Sequence, residues 1–236
     1  MTAVAARLSS PLPLLMLLAA RPAAAQGGAR ELHAELLLGS SWSLSTPLVI
    51  RLPGRVPVRL AARYSTRPWT DAPYYAYRVG GGTLSSGGVP AGLEAEEVHH
   101  KVYLENPRAP VEHFEVSHGY NLVTASAVRP AGRLAVRFGA GIVIAHAEGS
   151  VGGERVGGTR RTFLGGGYHV AGITAQLAVG RAWPLGRGRA VLYATPEGKL
   201  TASLARVPVG DAGGSAFVPN VAVHALGGLG LRYRDR

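Results

Sequence analysis

The chain has 236 residues, 47% of them hydrophobic, and its 25 basic against 14 acidic side chains give a formal net charge of +11. It contains no cysteine, which excludes a disulfide scaffold, a thiolate nucleophile and a cysteine-based zinc site. The basic residues are scattered without a zinc-finger, helix-turn-helix or RNA-binding signature, so nucleic acid is not an expected partner.

The first 25 residues have the features of a cleavable secretory signal. Arg7 stands in a short basic region, an apolar stretch follows over residues 12–20, and alanines at 23–25 precede Gln26. The apolar stretch is shorter than the roughly 20 residues that a spanning helix needs. We therefore predict a signal peptide over 1–25 and one exported domain over 26–236.

The exported part begins with segments in which polar and apolar residues alternate, which is the period of a β-strand with two unlike faces. Residues 31–39 alternate glutamates and a histidine with leucines and an alanine. Residues 56–67 place arginines on one face, and residues 74–80 set an arginine against tyrosines. A charged face that recurs in this way indicates a polar barrel interior with lipid outside.

Two further segments, 93–106 and 112–125, show the clearest alternation, with His100 and His118 as exceptions. Prolines between them favour an antiparallel hairpin, because proline cannot donate to a ladder. We assign the polar face of both segments to the barrel interior. It carries Glu97, His99, Lys101 and Tyr103 in the first segment and His113, Glu115, Ser117 and Asn121 in the second.

The same design continues over 134–147, 168–181, 189–207 and 221–233. Counting gives about nine segments, and single-chain bacterial barrels use even strand numbers. The sequence therefore predicts an all-β fold, a transmembrane antiparallel up-and-down β-barrel of eight strands, with ten as the alternative. Such a protein resides in the outer membrane of a Gram-negative cell.

The polar residues assigned to the interior predict an ion-pair core. Charges inside a narrow barrel must be paired and hydrogen-bonded, since an unpaired buried charge costs several kcal/mol. We expect no cofactor there. The predicted core consists of Arg59, Arg63, Arg78, Glu97, Lys101, Glu115, Arg137, Glu197, Lys199 and Arg232, with His99, His113 and His224 beside them.

A hydrolytic site is the sharper alternative, because acyl transfer needs a hydroxyl, a base and an orienting acid. Ser117 is the candidate nucleophile. Adjacent side chains of a strand point to opposite faces, so His118 is not expected to serve it. The candidate bases are then His99 and His113, with Glu97 or Glu115 as the acid. The same histidines and glutamates could instead hold a metal ion, although no tight spacing supports this.

The whole mature chain resembles the small outer-membrane β-barrel proteins, with Leu229, Leu231 and Tyr233 as an alternating last strand. The stretch from His99 to Asn121 is similar to uncharacterised barrels of this kind. The resemblance implies a structural or porin-like role. Lipid A 3-O-deacylases are small barrels too, but their His-x-Ser-Asn signature is absent here, where Ser117 precedes His118.

Together these features predict an integral outer-membrane barrel of structural or small-pore type with a charged, ion-paired lumen. Its partners would be outer-membrane lipid and lipopolysaccharide. The first alternative is a lipid-modifying acyl hydrolase, and the second is a soluble exported barrel that binds a ligand inside. The second requires an apolar interior.

Overall fold

The computed structural model describes residues 29–70, 72–157, 161–162 and 165–235, so the predicted signal peptide lies outside the described residues. No helix among the described residues is long and apolar enough to cross a membrane. The strands are β1 (Arg30–Ser43), β2 (Thr46–Arg51), β3 (Val58–Ala62), β4 (Tyr64–Ser65), β5 (Tyr75–Leu84), β6 (Pro90–Leu104), β7 (Val111–Ala131), β8 (Leu134–Ala145), β9 (Glu148–Val151), β10 (Glu154–Val156), β11 (Arg161–Thr162), β12 (Gly165–Gly166), β13 (His169–Gly180), β14 (Trp183–Pro184), β15 (Ala190–Val209), β16 (Gly214–Phe217) and β17 (Asn220–Arg234).

Eight long strands form a closed antiparallel ring in the order β1, β5, β6, β7, β8, β13, β15 and β17. The ring closes between the first and last strands, where Leu36 of β1 lies opposite Leu229 of β17. The predicted all-β antiparallel barrel of eight strands is thereby confirmed. The predicted segment 56–67 is not a ring strand, because it forms β3 and β4 in the connection between β1 and β5.

The two ends of the barrel differ in the length of their connections. At one end, here called the turn end, residues 85–89, 132–133 and 181–189 join neighbouring strands. The start of β1 and the end of β17 also meet at this end. At the other, the loop end, the wall continues beyond the ring. There β9 and β10 bridge β7 to β15, β16 joins β15 to the β2–β3 hairpin, and β4 pairs with β6.

The outer face of the ring carries a band of exposed large apolar side chains. Alternation along the strands puts them there, since every second side chain of a strand points outward. In the turn-end half, the opposite faces of the same strands are charged and buried. The band includes Leu32, Leu36, Phe138, Ile142, Ile173, Leu177, Leu192, Leu200, Leu229 and Leu231.

The interior changes character along the barrel axis. Toward the loop end it is filled by an apolar cluster that includes Leu37, Leu48 and Tyr120. In this half the strands are therefore apolar inside and polar outside, the reverse of the turn-end half. The predicted faces of β6 and β7 are wrong for this reason: Val98, Val102, Phe114, Val116 and Leu122 belong to the buried apolar cluster.

Candidate functional site

A charged cluster fills the middle of the barrel. Arg78, 1% exposed, reaches four carboxylates. Its guanidinium lies 2.7 Å from Glu35, 2.8 Å from Glu96 and 2.7 Å from Glu197, with Glu94 at 3.4 Å. Charge-assisted contacts of this kind offset the cost of burying the ions. The charged cluster consists of Glu35, Arg78, Glu94, Glu96, Arg137, Glu197 and Lys199.

A neutral polar layer separates the charged cluster from the apolar half. His100 is hydrogen-bonded at both ring nitrogens: Nδ1 lies 3.2 Å from the Ser41 hydroxyl, and Nε2 lies 3.1 Å from the Asn220 amide oxygen. His224 is hydrogen-bonded to the hydroxyls of Tyr74 and Thr201. All six side chains are buried. The side chains of the polar layer and of the charged cluster are all buried within the ring.

A second group of polar residues lies on the outer wall toward the loop end. The Ser117 hydroxyl donates to the Glu115 carboxylate at 2.7 Å and lies 3.3 Å from His118 Nδ1. Glu148 bridges two histidines, at 3.3 Å from His118 Nδ1 and 3.5 Å from His146 Nε2. We call Glu115, Ser117, His118, His146 and Glu148 the wall cluster.

A bulge in β7 brings the wall cluster together. His100 lies opposite Tyr120 and Val102 opposite Val116, so residues 117–119 face a single residue of β6. Gly119 has a φ of 129°, a conformation that other residues rarely adopt. The expectation that the Ser117 and His118 side chains point to opposite faces is therefore wrong, since the bulge removes the alternation on which it rested.

The wall cluster has a hydroxyl, imidazoles and carboxylates, but it is not arranged as a proton relay. Both Ser117 and Glu148 contact the same nitrogen of His118, whereas a relay uses one ring nitrogen for each. Ser117 is 2% exposed while the His118 side chain is 53% exposed. Hydrolysis would need the imidazole to turn and the serine to become accessible.

The surroundings of His146 in the wall cluster shift its pKa. Partial burial lowers the pKa of His146, and the neighbouring His118 lowers it further, while Glu148 opposes the shift. The rings of the two histidines lie 5.2 Å apart. The Tyr168 hydroxyl donates to the His118 carbonyl oxygen at 2.7 Å and its ring packs on His146. A neutral imidazole is thus favoured at this position.

The other candidate bases and acids lie near the wall cluster but make different contacts. His113 pairs with Glu115 at 2.9 Å, which links it to the cluster. His99 hydrogen-bonds to the Asn121 amide oxygen at 2.8 Å and stacks on Tyr75. Glu97 accepts a hydrogen bond from Tyr77 on the same outer wall. Among the described residues no group of three or more histidines and carboxylates is placed to hold a metal ion.

The structure also corrects several positions of the predicted ion-pair core. Arg59 and Arg63 are exposed on the loop-end extension, outside the ring. Lys101 is buried but donates to the carbonyl oxygens of Thr70 and Ala72, the latter at 2.8 Å, and so anchors the connection before β5. Glu97 and Glu115 lie outside the charged cluster because the polar faces of β6 and β7 point outward there. Arg78, Arg137, Glu197 and Lys199 lie within the cluster, and Arg232 faces the interior nearer the turn end.

Four glutamates of the interior were missed as core residues. Glu31 and Glu35 alternate on the inner face of β1, a pattern visible in the sequence. Glu94 and Glu96 alternate one residue out of phase with Glu97, so assigning Glu97 to the interior excluded them. The sequence signal for these residues is the spacing of the glutamates at 94, 96 and 97, because only Glu94 and Glu96 can point to the same face of the strand.

No protein-family model matches the chain, and no curated protein matches it significantly. Among solved structures, the chain is similar to one titled as the solid-state NMR structure of outer membrane protein AlkL in DMPC lipid bilayers. The match has a TM-score of 0.38 and 11% sequence identity, and it covers 92% of this chain and 96% of that one.

Proposed function

We propose that this chain is an integral outer-membrane β-barrel protein of structural type with a closed, ion-paired interior. The observation that carries the proposal is the exposed apolar band around a ring whose inner face is charged in the turn-end half. A folded protein in water does not leave so continuous an apolar surface uncovered. A closed antiparallel ring also satisfies its own backbone, as spanning a membrane requires.

The reversal of polarity along the strands supports the same proposal. β7 and β15 have 21 and 20 residues, about twice the 9–11 that a tilted strand needs to cross a bilayer. Along β15 the buried residues change from Lys199, Thr201 and Ser203 to Ala205 and Val207. Such a change from polar to apolar interior residues is expected where the outer face of the barrel passes from membrane hydrocarbon into water. The lipid partners proposed are phospholipid along the band and lipopolysaccharide around the loop end.

The filled interior favours the structural role over the small pore. Arg78 is 1% exposed, His224 1%, and Tyr74 and Tyr120 are fully buried. Arg78, His224 and Tyr120 come from β5, β17 and β7, and Tyr74 comes from the connection before β5. The interior of an eight-stranded barrel is filled by side chains in this way. Ion passage would require breaking the charged cluster.

Two measurements on one preparation test this proposal. The membrane-fraction protein should migrate differently on a gel with and without boiling, because folded outer-membrane barrels resist detergent. The same protein in a planar bilayer should give no stepwise current, whereas Arg78→Ala with Arg137→Ala should admit ions if it folds. A soluble protein without a mobility shift would contradict membrane insertion. A shift together with unitary currents from the unaltered protein would instead establish the pore.

A second candidate function is hydrolysis of an acyl ester of an outer-leaflet lipid. The observation that favours it is the contact of the Ser117 hydroxyl with both Glu115 and His118 on the outer wall. A nucleophile on this wall, beside the apolar band, would face lipid headgroups rather than the barrel interior. Its activation by a neighbouring base and an orienting acid would follow the general logic of serine hydrolases.

The test compares Ser117→Ala with Ser150→Ala. Ser150 also donates to a glutamate on the loop-end wall, at 2.9 Å from Glu112, which makes it a matched control. Mass spectrometry of lipids from cells that express each variant measures the acyl pattern. If the protein is a hydrolase, Ser117→Ala should abolish the deacylated species seen with the unaltered protein, and Ser150→Ala should not. Identical lipids with and without the protein would exclude the activity.

A further inference from the structure

A cavity of about 260 Å³ opens at the turn end of the barrel, below the charged cluster. Its wall includes the inner faces of β1 and β17 and the short connections 85–89, 132–133 and 181–189. We call it the turn-end pocket. None of the functions considered above uses it.

The pocket is strongly basic. Five arginines line it against two glutamates, Glu31 and Glu35. Glu35 is already engaged by Arg78, and Glu31 lies 3.6 Å from Arg232. Arg133 and Arg181, at the rim, have no carboxylate within ion-pair distance in the described part of the chain. Arg137 is paired with Glu94 and Glu197 of the charged cluster, and Arg234 lies 3.5 Å from Glu31, so the positive charge left unpaired in the pocket is that of the two rim arginines.

Single guanidinium nitrogens in the pocket make no hydrogen bond, and the same holds for the Glu31 Oε2 oxygen beside them. Arg232 is 2% exposed, and its guanidinium is held 4.3 Å over the Tyr193 ring, with one nitrogen donating to the Gly88 carbonyl oxygen at 3.3 Å. Its Nε makes no hydrogen bond among the described residues. Arg137 Nη1 likewise makes none, although it lies 3.2 Å from the Glu197 carboxylate. Unsatisfied buried donors are costly, so a bound acceptor would stabilise them.

We propose that the turn-end pocket binds a small phosphate-bearing anion. Guanidinium groups match the geometry of phosphate oxygens and pair with them in a bidentate way. The volume is slightly below the range of about 300–1,000 Å³ typical of drug-sized ligands, which suits a headgroup-sized molecule. Such a group could come from a soluble phosphate ester or from the headgroup of an anionic phospholipid. The proposal requires the folded barrel but not a particular role for it.

The experiment measures binding of glycerol phosphate to the full-length folded protein in a zwitterionic detergent by titration calorimetry, with glycerol as the uncharged comparison. Arg133→Gln with Arg181→Gln removes the rim charges without touching the buried cluster. Arg189→Gln is the matched control, because Arg189 is exposed at the same end but does not line the pocket. Trp183 lines the pocket, so its fluorescence in a Trp42→Phe, Trp69→Phe background locates the binding.

We expect saturable binding of glycerol phosphate, no binding of glycerol, and affinity about tenfold weaker in the double variant but unchanged in the control. Vesicles of phosphatidylcholine with and without phosphatidylglycerol then distinguish the sources. If phosphatidylglycerol competes with glycerol phosphate for the pocket, the natural ligand is a lipid headgroup. If phosphatidylglycerol does not compete, the ligand is a soluble phosphate ester. The proposal would be overturned if neither glycerol phosphate nor phosphatidylglycerol bound saturably. It would also be overturned if Arg189→Gln weakened the binding as much as the double variant does. Gel mobility without boiling establishes separately that each variant is folded.

Discussion

Removing Arg78 should destabilise the barrel more than any other single change in the charged cluster. Its guanidinium contacts four carboxylates, of Glu35, Glu94, Glu96 and Glu197. Arg78→Met keeps much of the aliphatic stem but removes the guanidinium, and among the buried arginines and lysines it leaves only Arg137 and Lys199 beside those carboxylates. Breaking a buried ion pair by removing one partner costs about 3–5 kcal/mol. Since Arg78 is 1% exposed, water does not reduce this cost.

The assay is a urea titration of the protein refolded into phosphatidylcholine vesicles, with the heat-dependent gel shift as the measure of folded protein. Arg59→Met makes the same chemical change at an exposed position and should alter the free energy of unfolding by less than about 0.5 kcal/mol. Adding Glu96→Gln to Arg78→Met should restore part of the loss, because one unpaired charge disappears. Equal unfolding midpoints for the two methionine variants, or no restoration in the double variant, would refute the reasoning.

Two other predictions concern the strand packing and the wall cluster. Gly228→Ala should destabilise the barrel by about 1–3 kcal/mol, because the new Cβ would lie 2.0 Å from a backbone carbonyl oxygen of β1. Gly227→Ala is the control: its new Cβ would meet nothing within 4 Å, so the urea midpoint should stay unchanged. Glu148→Gln should lower the pKa of His146 further and His118→Gln should raise it, because the carboxylate favours the charged imidazole and the second histidine opposes it. Titration of the histidine ring protons by NMR measures both shifts, and shifts of the same sign would contradict the assigned contacts.

The sequence predicts the fold well because most of the turn-end half of the ring obeys one rule. On β1, β8, β15 and β17 most charged residues of this half are buried and most large apolar ones are exposed, with Ala135 and Val191 as buried exceptions. Arg78, Arg137, Glu197 and Arg232 could therefore be placed in the interior from alternation alone. Strand number was harder, because the β3 segment alternates in the same way without belonging to the ring.

The sequence misassigned β6 and β7 because alternation gives the two faces but not which one is inside. In the loop-end half the inner face is apolar, as in a barrel surrounded by water. The polar residues His99, His113 and Glu115 consequently lie outside. The length of β7, about twice a membrane span, is the physical clue that the two faces of one strand exchange polarity along it.

The contact between Ser117 and His118 could not be predicted from spacing, since it depends on a bulge. Gly119 between a polar stretch and Tyr120 is the sequence feature that permits the bulge, but a glycine alone does not specify one. A bulge on the outer wall turns neighbouring side chains toward each other, and such irregularities are frequent beside functional sites.

The filled interior limits where this protein can meet any other molecule. A ligand cannot pass the layers formed by Arg78, His224 and Tyr74 without displacing buried, hydrogen-bonded groups. Recognition is then confined to the outer wall, the loop end and the turn-end pocket. The wall cluster borders the apolar band, whereas the pocket opens at the opposite end of the barrel. If the loop end faces the outside of the cell, the two sites face different compartments, and substitutions at Ser117 and at Arg133 should affect their own readouts independently.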